Sequence, residues 1–473
     1  MSLTKAIAKN TIIQIGGKTI STLLGLVAVA IMTRSLGVEK FGWYITATGF
    51  LQFIGILSDF GFTVTTANML SEPHFEKQKL LNNLFTWRFI TAFVFQLIGP
   101  AAILFFPYPD PVKIAVAIMA VSFFCISLNN IFIGYYQANL KMIVQMTGEI
   151  LSRVVLVIGL FFVSAGKFGF LPAMSVVTLA SIAYTSYLFY KSPEVKFEYD
   201  KTISKAIFKK IWPTAITVIF NAFYLQGDRV ILPLYATQTD VGLYGAAYRV
   251  LDIVTQSIAM IMGIMMPLIA FAWSRTMAEE FKKRCQTSFD LVALIVMPMM
   301  TGIIVLSTPI MNLVAGKEFT GSGGILKLLA IAIFGLAFGN IFGYINLAIT
   351  RQRQAMWVYI SDAVLTTAAY FILIPKYGMY GAAWATIFSE LYAGFLLMLL
   401  AGFYSKFWPK LKAFGKIILA SLVMGGFIFW LQPLNIIISI LLGVAIYGAC
   451  VLLFKIVSKE TLLEILRPSN KSV

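Results

Sequence analysis

Residues Asn130–Tyr135 read NIFIGY, and 210 positions later residues Asn340–Tyr344 read NIFGY. Two further pairs of short segments recur in the same order along the chain: GWY and GLY at Gly42–Tyr44 and Gly242–Tyr244, and KFG and KYG at Lys167–Gly169 and Lys376–Gly378. Because these segments lie at matching points of strongly apolar stretches, the chain is predicted to contain a duplicated bundle of membrane helices. Internal repeats of this kind are typical of secondary transporters.

The composition supports a membrane location. Hydrophobic residues make up 59% and charged residues 12% of the 473 residues, whereas charged residues make up about 25% of ordinary soluble domains. The apolar stretches are about 20 residues long, which is the length of a helix that crosses a hydrocarbon layer of about 30 Å. Hydrocarbon offers no water to the backbone, so each stretch must be helical. Fourteen spans are predicted, at residues 10–33, 42–64, 82–106, 112–136, 145–165, 168–190, 212–235, 242–272, 287–309, 323–349, 355–375, 379–403, 412–432 and 435–457.

Each repeat holds six spans, an even number, so both copies enter the membrane with the same orientation. The predicted fold is therefore an all-α polytopic membrane protein with fourteen transmembrane helices, in which two parallel six-helix repeats surround a central cavity and two extra helices follow. The predicted domains are an N-lobe with helices one to six, a cytoplasmic linker, a C-lobe with helices seven to twelve, and helices thirteen and fourteen with a cytoplasmic tail, at residues 1–190, 191–211, 212–403 and 404–473. The linker stretch Ile203–Ile211 is expected to rest on the inner leaflet as an amphipathic helix.

The distribution of Lys and Arg predicts the orientation. One set of loops carries most of these residues, with Arg88 counted among them, and the opposite set carries only Arg34, Lys40, Lys113, Lys167, Lys317 and Lys376. Basic residues are retained on the cytoplasmic side, so both termini are predicted to be cytoplasmic, in a multi-pass protein of the plasma or inner membrane. The net charge of +17 is explained by this topology and by anionic lipid heads, without a nucleic-acid partner.

Five segments carry a resemblance to a known family: LGVEKFGWY at Leu36–Tyr44, SDFGF at Ser58–Phe62, DRVIL at Asp228–Leu232, VGLYGAAYR at Val241–Arg249 and YGMYGAAWAT at Tyr377–Thr386. They resemble the Wzx-type polysaccharide flippases of the multidrug/oligosaccharidyl-lipid/polysaccharide exporter superfamily, and the resemblance covers nearly the whole chain. It implies a flippase that carries an undecaprenyl-pyrophosphate-linked oligosaccharide repeat unit from the cytoplasmic to the outer leaflet. It also implies membrane lipids and the polysaccharide polymerase machinery as partners.

Five cations are assigned to the interior of predicted spans: Lys18, Arg153, Arg229, Arg249 and Lys327. Lys327 is close enough to the outer interface to reach it. A charge at membrane depth costs several kcal/mol unless it faces water, a partner or a ligand. In the family that the chain resembles, helices one, two, seven and eight line the cavity, and Lys18, Arg229 and Arg249 lie on such helices. These three residues are therefore expected to bind the diphosphate of the substrate.

The acidic counterparts are Asp59, Asp228, Asp252, Asp362 and Glu390, and the first three are candidates for proton or cation coupling. The alternative is that these charges pair with one another, for example Asp228 with Arg249, and hold helices together. Glu149 and Arg153 are four residues apart near the start of span five, a spacing that predicts a pair within one helix.

Other kinds of site are not indicated. The three cysteines are scattered, which predicts neither a disulfide framework nor a metal site, and His74 has no clustered partners. We expect no cofactor, no direct use of ATP and no enzymatic activity, because no long loop carries acid/base groups and no Gly-rich phosphate loop is present. A cation-coupled multidrug antiporter of the same superfamily is the alternative function. The source of energy stays open.

Overall fold

The computed structural model describes residues 3–71, 75–431 and 435–456, and it describes side-chain surroundings for these residues except 3–9, 11–12, 64, 67–68, 71, 213–214 and 216–225. The regular structure of this part of the chain is helical throughout. Two short 3₁₀ turns occur at Ile103–Phe105 and Lys317–Phe319. The α-helices are α1 Leu3–Asp59, α2 Phe62–Ser71, α3 Lys77–Ala102, α4 Asp110–Ala138, α5 Met142–Ala165, α6 Phe170–Lys191, α7 Lys201–Tyr235, α8 Gln238–Ser274, α9 Ala278–Val314, α10 Ser322–Ala348, α11 Gln352–Ser405, α12 Leu411–Trp430 and α13 Ile436–Leu453.

Eleven helices of the described residues are long and apolar enough to cross a membrane. The protein is therefore a multi-pass, all-helical membrane protein, and this part of the predicted fold is confirmed.

Two of these helices are much longer than a single crossing requires, and each is broken by a glycine. In α1, which has 57 residues, Gly37 has a φ of 73° and a ψ of 177°. In α11, which has 54 residues, Gly378 has a φ of 54° and a ψ of −132°, and Pro375 precedes it. Only glycine adopts such angles without strain, and proline removes a helical hydrogen bond. The breaks lie in the gaps that were predicted between spans one and two and between spans eleven and twelve.

The predicted second span ends earlier than expected. The sequence pattern extended it to residue 64, whereas α1 ends at Asp59 and α2 begins at Phe62. Phe60 and Gly61 have φ angles of 46° and 87°. The Asp59 carboxylate accepts hydrogen bonds from the Gly61 N–H at 3.2 Å and the Thr63 hydroxyl at 2.6 Å. An aspartate that caps the next helix competes with continuation of its own helix, and apolar periodicity does not detect this effect.

The described contacts divide the chain into two compact units. The first unit comprises Met1–Ala246, Val314–Phe319 and Tyr359–Thr386. One apolar cluster of this unit includes Leu80, Phe85, Ile131 and Leu188 together with Ile203, Ile207 and Ile211 of α7. The stretch Ile203–Ile211 therefore packs on protein rather than on the inner leaflet as expected. The helical period places its three isoleucines on one face, but the period does not say what covers that face.

The second unit comprises Ala247–Leu313, Thr320–Val358 and Ile387–Val473. In this unit α12 packs on α9, where Ile417 joins Ala293 and Met297 in one buried cluster. The Tyr447 hydroxyl of α13 donates to the Leu294 carbonyl of α9 at 2.8 Å. The last two described helices are thus attached to α9.

Two connections that lie 210 residues apart have the same backbone hydrogen bonds. After α4, Leu140 has a φ of 54°, its N–H donates to the Gln137 carbonyl, and the Lys141 N–H donates to the Tyr136 carbonyl. After α10, Thr350 has a φ of 59° and the same bonds join Thr350 to Leu347 and Arg351 to Asn346. A positive φ is uncommon for leucine and threonine, so its recurrence at equivalent positions indicates a common local design.

Within the first unit, the second limb of α1 and the start of α8 meet backbone to backbone. A Cβ atom on Gly42 would overlap the Gln238 carbonyl, and a Cβ atom on Gly242 would overlap the Val38 carbonyl. Gly42 thus faces the carbonyl of Gln238, which lies four residues before Gly242. In the same way, Gly242 faces the carbonyl of Val38, which lies four residues before Gly42. This exchange is the pattern of a local twofold axis between the two segments.

Two further hydrogen bonds within the first unit join segments that are far apart in the sequence. The Tyr108 hydroxyl, between α3 and α4, donates to the Val230 carbonyl of α7 at 3.2 Å. The Arg34 guanidinium of α1 donates to the Val314 carbonyl at 3.2 Å. Burial raises the pKa of the Tyr108 hydroxyl, which therefore keeps its proton and serves as a donor. A loop of the first half of the sequence thus contacts α7, and the end of α9 contacts α1.

Candidate functional site

Lys18 lies on the first limb of α1 and contacts α5. Its ammonium group is 2.8 Å from the Glu149 carboxylate, and the Ser21 hydroxyl donates to the same oxygen at 2.7 Å. The side chains of Lys18 and Glu149 are 36% and 14% exposed. The ion pair of Glu149 is therefore made with another helix, whereas the sequence predicted a pair with Arg153. The charge of Arg153 still acts on Glu149 through space.

Arg153 is half-buried in the middle of α5 rather than near its start. It lies 11 residues after the first residue of α5 and 12 before the last, or about 17 Å from either end. Its guanidinium carbon is 3.9 Å from the position that a Cβ atom of Gly25 would occupy. The guanidinium therefore lies beside α1 at Gly25.

Asp59 contacts an arginine that the sequence had placed in a cytoplasmic loop. Arg88 lies 11 residues inside α3, its side chain is 1% exposed, and its guanidinium is 3.0 Å from the Asp59 carboxylate. The same guanidinium donates to the carbonyls of Ser127 and Ser58, at 3.0 and 2.9 Å, and lies over the Phe62 ring. Arg88 is thus a buried cation inside the bundle, and its assignment to a loop was wrong.

The predicted span at residues 82–106 already contained Arg88, so counting it with the loop cations was inconsistent with that span. In the structure the helix begins still earlier, at Lys77. Its first two turns therefore carry polar residues that contact protein. Asn82 accepts from the Lys196 N–H at 3.2 Å, and Asn83 accepts from the Asp200 N–H at 2.7 Å. A helical count from Lys77 would have placed Arg88 three turns inside the helix.

Asp228 joins a buried chain of hydrogen bonds across three helices of the first unit. The Tyr244 hydroxyl of α8 donates to the Asp228 carboxylate of α7 at 2.7 Å and lies 3.2 Å from the Thr386 hydroxyl of α11. On the first limb of α11, before the break at Gly378, the Thr366 hydroxyl donates to the Asp362 carboxylate at 2.8 Å. Asp228 and Asp362 are 1% and 0% exposed. These carboxylates therefore depend on protein groups, protons or cations for stabilisation.

Arg229, the next residue, lies where α7 crosses the second limb of α1. A guanidinium nitrogen is 3.3 Å from the Gln52 side-chain oxygen. A Cβ atom on Gly49 would approach the Arg229 Cβ to 2.9 Å, so the two helices are in close contact here. Lys18 and Arg229 are therefore positioned by different neighbours: Lys18 by α5, and Arg229 by the second limb of α1.

Arg249 lies in the second unit, on α8. Its guanidinium is 3.6 Å from the Asp252 carboxylate, three residues later on the same helix, and the two side chains are 28% and 33% exposed. The two partly exposed groups thus form a loose ion pair within α8.

An apolar cavity of about 550 Å³ lies in the second unit between α10 and the second limb of α11. Its walls include Phe334, Phe338, Phe388, Tyr392 and Phe395. None of the predicted site residues lines it. Walls of this kind suit hydrocarbon chains and offer no charge to a phosphate.

The described residues contain no group of three or more histidine, cysteine or acidic side chains placed to hold a metal ion. Cys125, Cys285 and Cys450 are free thiols and are buried.

Comparison with curated proteins identifies relatives that are named as transporters of glycans. The chain is 26% identical over 277 residues to the "Probable low-salt glycan biosynthesis flippase Agl15" of Haloferax volcanii, a match that covers 56% of this chain and only 57% of that protein. It is 24% identical over 403 residues to the "Putative O-antigen transporter" of Shigella flexneri, covering 80% and 93%. It is 21% identical over 382 residues to the succinoglycan biosynthesis transport protein ExoT of Rhizobium meliloti, covering 77% and 74%.

Solved structures share the fold. The lipid II flippase MurJ in its inward closed conformation superposes with a TM-score of 0.77 at 19% identity, covering 96% of this chain and 100% of MurJ. An inward-facing multidrug resistance MATE transporter of the MOP superfamily superposes with a TM-score of 0.68 at 13% identity, covering 84% and 98%. The model of the polysaccharide biosynthesis protein family matches residues 7–273, more than half of the 473 residues. As the resemblance to Wzx-type flippases predicted, the protein belongs to the polysaccharide biosynthesis protein family.

Proposed function

We propose that this protein is a lipid-linked oligosaccharide flippase. It moves undecaprenyl-pyrophosphate-linked repeat units from the cytoplasmic to the outer leaflet by alternating access, for polysaccharide biosynthesis. The observation that carries the proposal is the placement of cations well inside the helices of a chain with this family membership. An anionic lipid head offsets the desolvation cost of such cations while it crosses.

The architecture that we propose for this activity has fourteen spans in two parallel six-helix repeats, with helices thirteen and fourteen attached outside. The breaks at Gly37 and Gly378 divide two of the eleven candidate helices, and α7, with 35 residues, supplies a further span. The exchange between Gly42 and Gly242 supports a twofold relation of the repeats, with an axis along the membrane normal. The shared hydrogen bonds after α4 and α10 support the same register.

We propose Lys18, Arg229 and Arg249 as the cations that hold the diphosphate. Lys18 lies 19 residues before the break at Gly37, or about 28 Å along the helix, and Arg229 lies 6 residues, or about 9 Å, before the end of α7. Because Lys18 and Arg229 lie at these different positions, the diphosphate would contact them one after the other during its passage rather than bind both at once. Arginine grips phosphate oxygens with two parallel hydrogen bonds, and lysine acts as a point charge.

We propose that coupling, where it occurs, uses the carboxylates Asp59, Asp228 and Asp252. Asp59 contacts Arg88 and Asp252 contacts Arg249, so a change in the charge of either carboxylate would alter its ion pair with an arginine. Asp228 accepts a hydrogen bond from the Tyr244 hydroxyl in a site that is almost completely buried.

A cation-coupled multidrug antiporter is the alternative, and the MATE fold is shared. The curated relatives favour the flippase, since they are named for glycan, O-antigen and succinoglycan transport. We further propose that both termini are cytoplasmic, that the protein resides in the plasma or inner membrane, that it transports without chemical catalysis, and that it works beside polysaccharide polymerase machinery.

Transport in vesicles tests the proposed function. The purified protein is reconstituted with an undecaprenyl-diphosphate-linked oligosaccharide that carries a fluorophore, and exposure of the fluorophore to a membrane-impermeant quencher is followed over time. Wild-type protein should accelerate exposure over empty vesicles, Arg229→Ala and Arg249→Ala should slow it about tenfold, and Arg275→Ala should match wild type. Arg275 is an exposed arginine just after the end of α8. Wild-type vesicles that move organic cations against an ion gradient and leave the lipid in place would identify an antiporter.

A further inference from the structure

We propose that Arg153 is a further anion-binding residue, which contacts the phosphate groups of the transported lipid at the middle of the membrane. The inference rests on the proposed function and adds to it a residue on α5, a helix outside those that the family resemblance connects with the cavity.

The first step of the argument is position. Arg153 is near the midpoint of the 24-residue α5, so its guanidinium is as far from both membrane surfaces as a residue on this helix can be. An arginine at this depth cannot easily extend its side chain to either interface, and its burial costs several kcal/mol unless water, a partner or a ligand compensates.

The second step is the lack of a direct partner. Within the part of the chain that the structure describes, Arg153 makes no ion pair. The nearest carboxylate along α5, Glu149, is engaged by the Lys18 ammonium and the Ser21 hydroxyl of α1. One carboxylate thus serves two cations, and the cluster keeps a net charge of about +1. The Lys18 ammonium is paired with Glu149, whereas the Arg153 guanidinium is paired with no carboxylate among the described residues.

The third step is geometry. Contacts between α1 and α5 follow the same order along both helices. A Cβ atom on Gly17 would meet Met146, the Ser21 hydroxyl donates to Glu149, and Gly25 faces the Arg153 guanidinium. The two helices therefore run in parallel, and Gly25 lies at the depth of Arg153. The Arg153 guanidinium lies beside α1 at Gly25, and among the described residues its N–H groups make no hydrogen bond, so they can bond an anion.

The fourth step is a polar surrounding that continues beyond the ion pair. Gln145 lies one turn before Glu149 on α5, and its side-chain oxygen is buried without a hydrogen-bond partner among the described residues. Tyr184 of α6 packs on Gly148 and lies within electrostatic reach of Glu149 and Arg153. Polar groups of this kind are costly in hydrocarbon, and their grouping beside Arg153 is typical of a path for a polar substrate rather than of helix packing.

Binding of the lipid to the purified protein tests the inference. The affinity for undecaprenyl diphosphate is compared with that for undecaprenol, which has the same tail and no phosphate, by native mass spectrometry in detergent. Arg153→Gln should weaken diphosphate binding about tenfold or more and leave undecaprenol binding unchanged. Arg153→Lys should recover part of the affinity, because it keeps the charge but not the two-pronged geometry. Arg275→Gln, the same chemical change at an exposed site, should match wild type.

The outcomes separate this inference from the proposed function. Wild-type protein that does not prefer the diphosphate over undecaprenol contradicts the proposed function itself. A preference that survives in Arg153→Gln overturns only the role of Arg153. If Arg153→Gln does not accumulate, Gly25→Leu displaces the guanidinium without removing it. The same weakening is expected for that variant, and an unchanged affinity overturns the proposal.

Discussion

Gly42 on α1 and Gly242 on α8 contact each other through their backbones, and each would clash with the other helix if it carried a side chain. Their backbones are close enough that a Cβ atom on either residue would lie 3.1 Å from the amide nitrogen of the other. The two residues belong to segments that repeat in the sequence, GWY and GLY, so the two copies of this segment contact each other in the fold.

The first prediction concerns this contact. Gly42→Ala and Gly242→Ala should each lower the free energy of unfolding by about 1–3 kcal/mol, the usual cost of inserting atoms into a packed contact. The midpoint of thermal unfolding in detergent, followed by tryptophan fluorescence, measures the effect. Gly448→Ala on α13 is the matched control, because a Cβ atom there meets nothing within 4 Å. Equal midpoints for Gly42→Ala and Gly448→Ala would contradict the crossing.

The second prediction concerns the buried pair of Arg88 and Asp59. Arg88→Met should destabilise the protein by about 3–5 kcal/mol, because it leaves the carboxylate without its cation and removes the hydrogen bonds from the guanidinium to the carbonyls of Ser58 and Ser127. Replacing both partners, as Arg88→Met with Asp59→Asn, should restore part of the loss. Abundance in the membrane and the thermal midpoint report both effects.

The control for the second prediction is an exposed pair at the start of the same helix. Lys79 and Glu76 lie 3.7 Å apart with side chains 56% and 66% exposed. Lys79→Met should change stability by less than about 1 kcal/mol. A loss in Lys79→Met as large as that in Arg88→Met would mean that Arg88 is not the buried anchor described above.

The third prediction separates the two roles of Lys18. Lys18→Ala should lower both membrane abundance and transport, because it leaves Glu149 half-buried without its cation. Adding Glu149→Gln should restore abundance, while transport per molecule stays several-fold reduced because the lysine is missing from the path. Lys18→Arg should keep part of the transport. Ser21→Ala, which removes one neutral hydrogen bond to Glu149, should have a small effect on both measurements. Full recovery of transport in the double variant would show that Lys18 only clamps helices.

The fourth prediction concerns orientation. Single cysteines at Lys40, Pro109, Lys317 or Lys376 should react with an impermeant thiol reagent added to intact cells, in a background in which Cys125, Cys285 and Cys450 are replaced. Single cysteines at Lys79, Lys205 or Arg353 should react only after the membrane is opened. The reason is the excess of basic residues in the second group of loops. Reversed reactivity would overturn the proposed orientation and with it the direction of transport.

Local properties of the sequence determined much of the fold. Span length and composition predicted helices in the membrane, because hydrocarbon forces every backbone group to bond within its own helix. The breaks at Gly37 and Gly378 lie where apolar runs were predicted to end, because glycine and proline change the backbone wherever they occur. The helix end at Asp59 was missed, since the capping carboxylate acts through hydrogen bonds from Gly61 and Thr63 and leaves no mark in the hydropathy.

The sequence by itself determined which charges lie inside the helices, apart from Arg88, but only the tertiary structure decided their partners. The spacing of Glu149 and Arg153 allows a pair within one helix, and nothing in α5 reveals that Lys18 of α1 lies 2.8 Å away. Asp59 and Arg88 are likewise 29 residues apart in the sequence and 3.0 Å apart in space. Helical period is a property of one segment, whereas the neighbour of a buried charge depends on how separate helices pack, and in low-dielectric surroundings the closest opposite charge dominates.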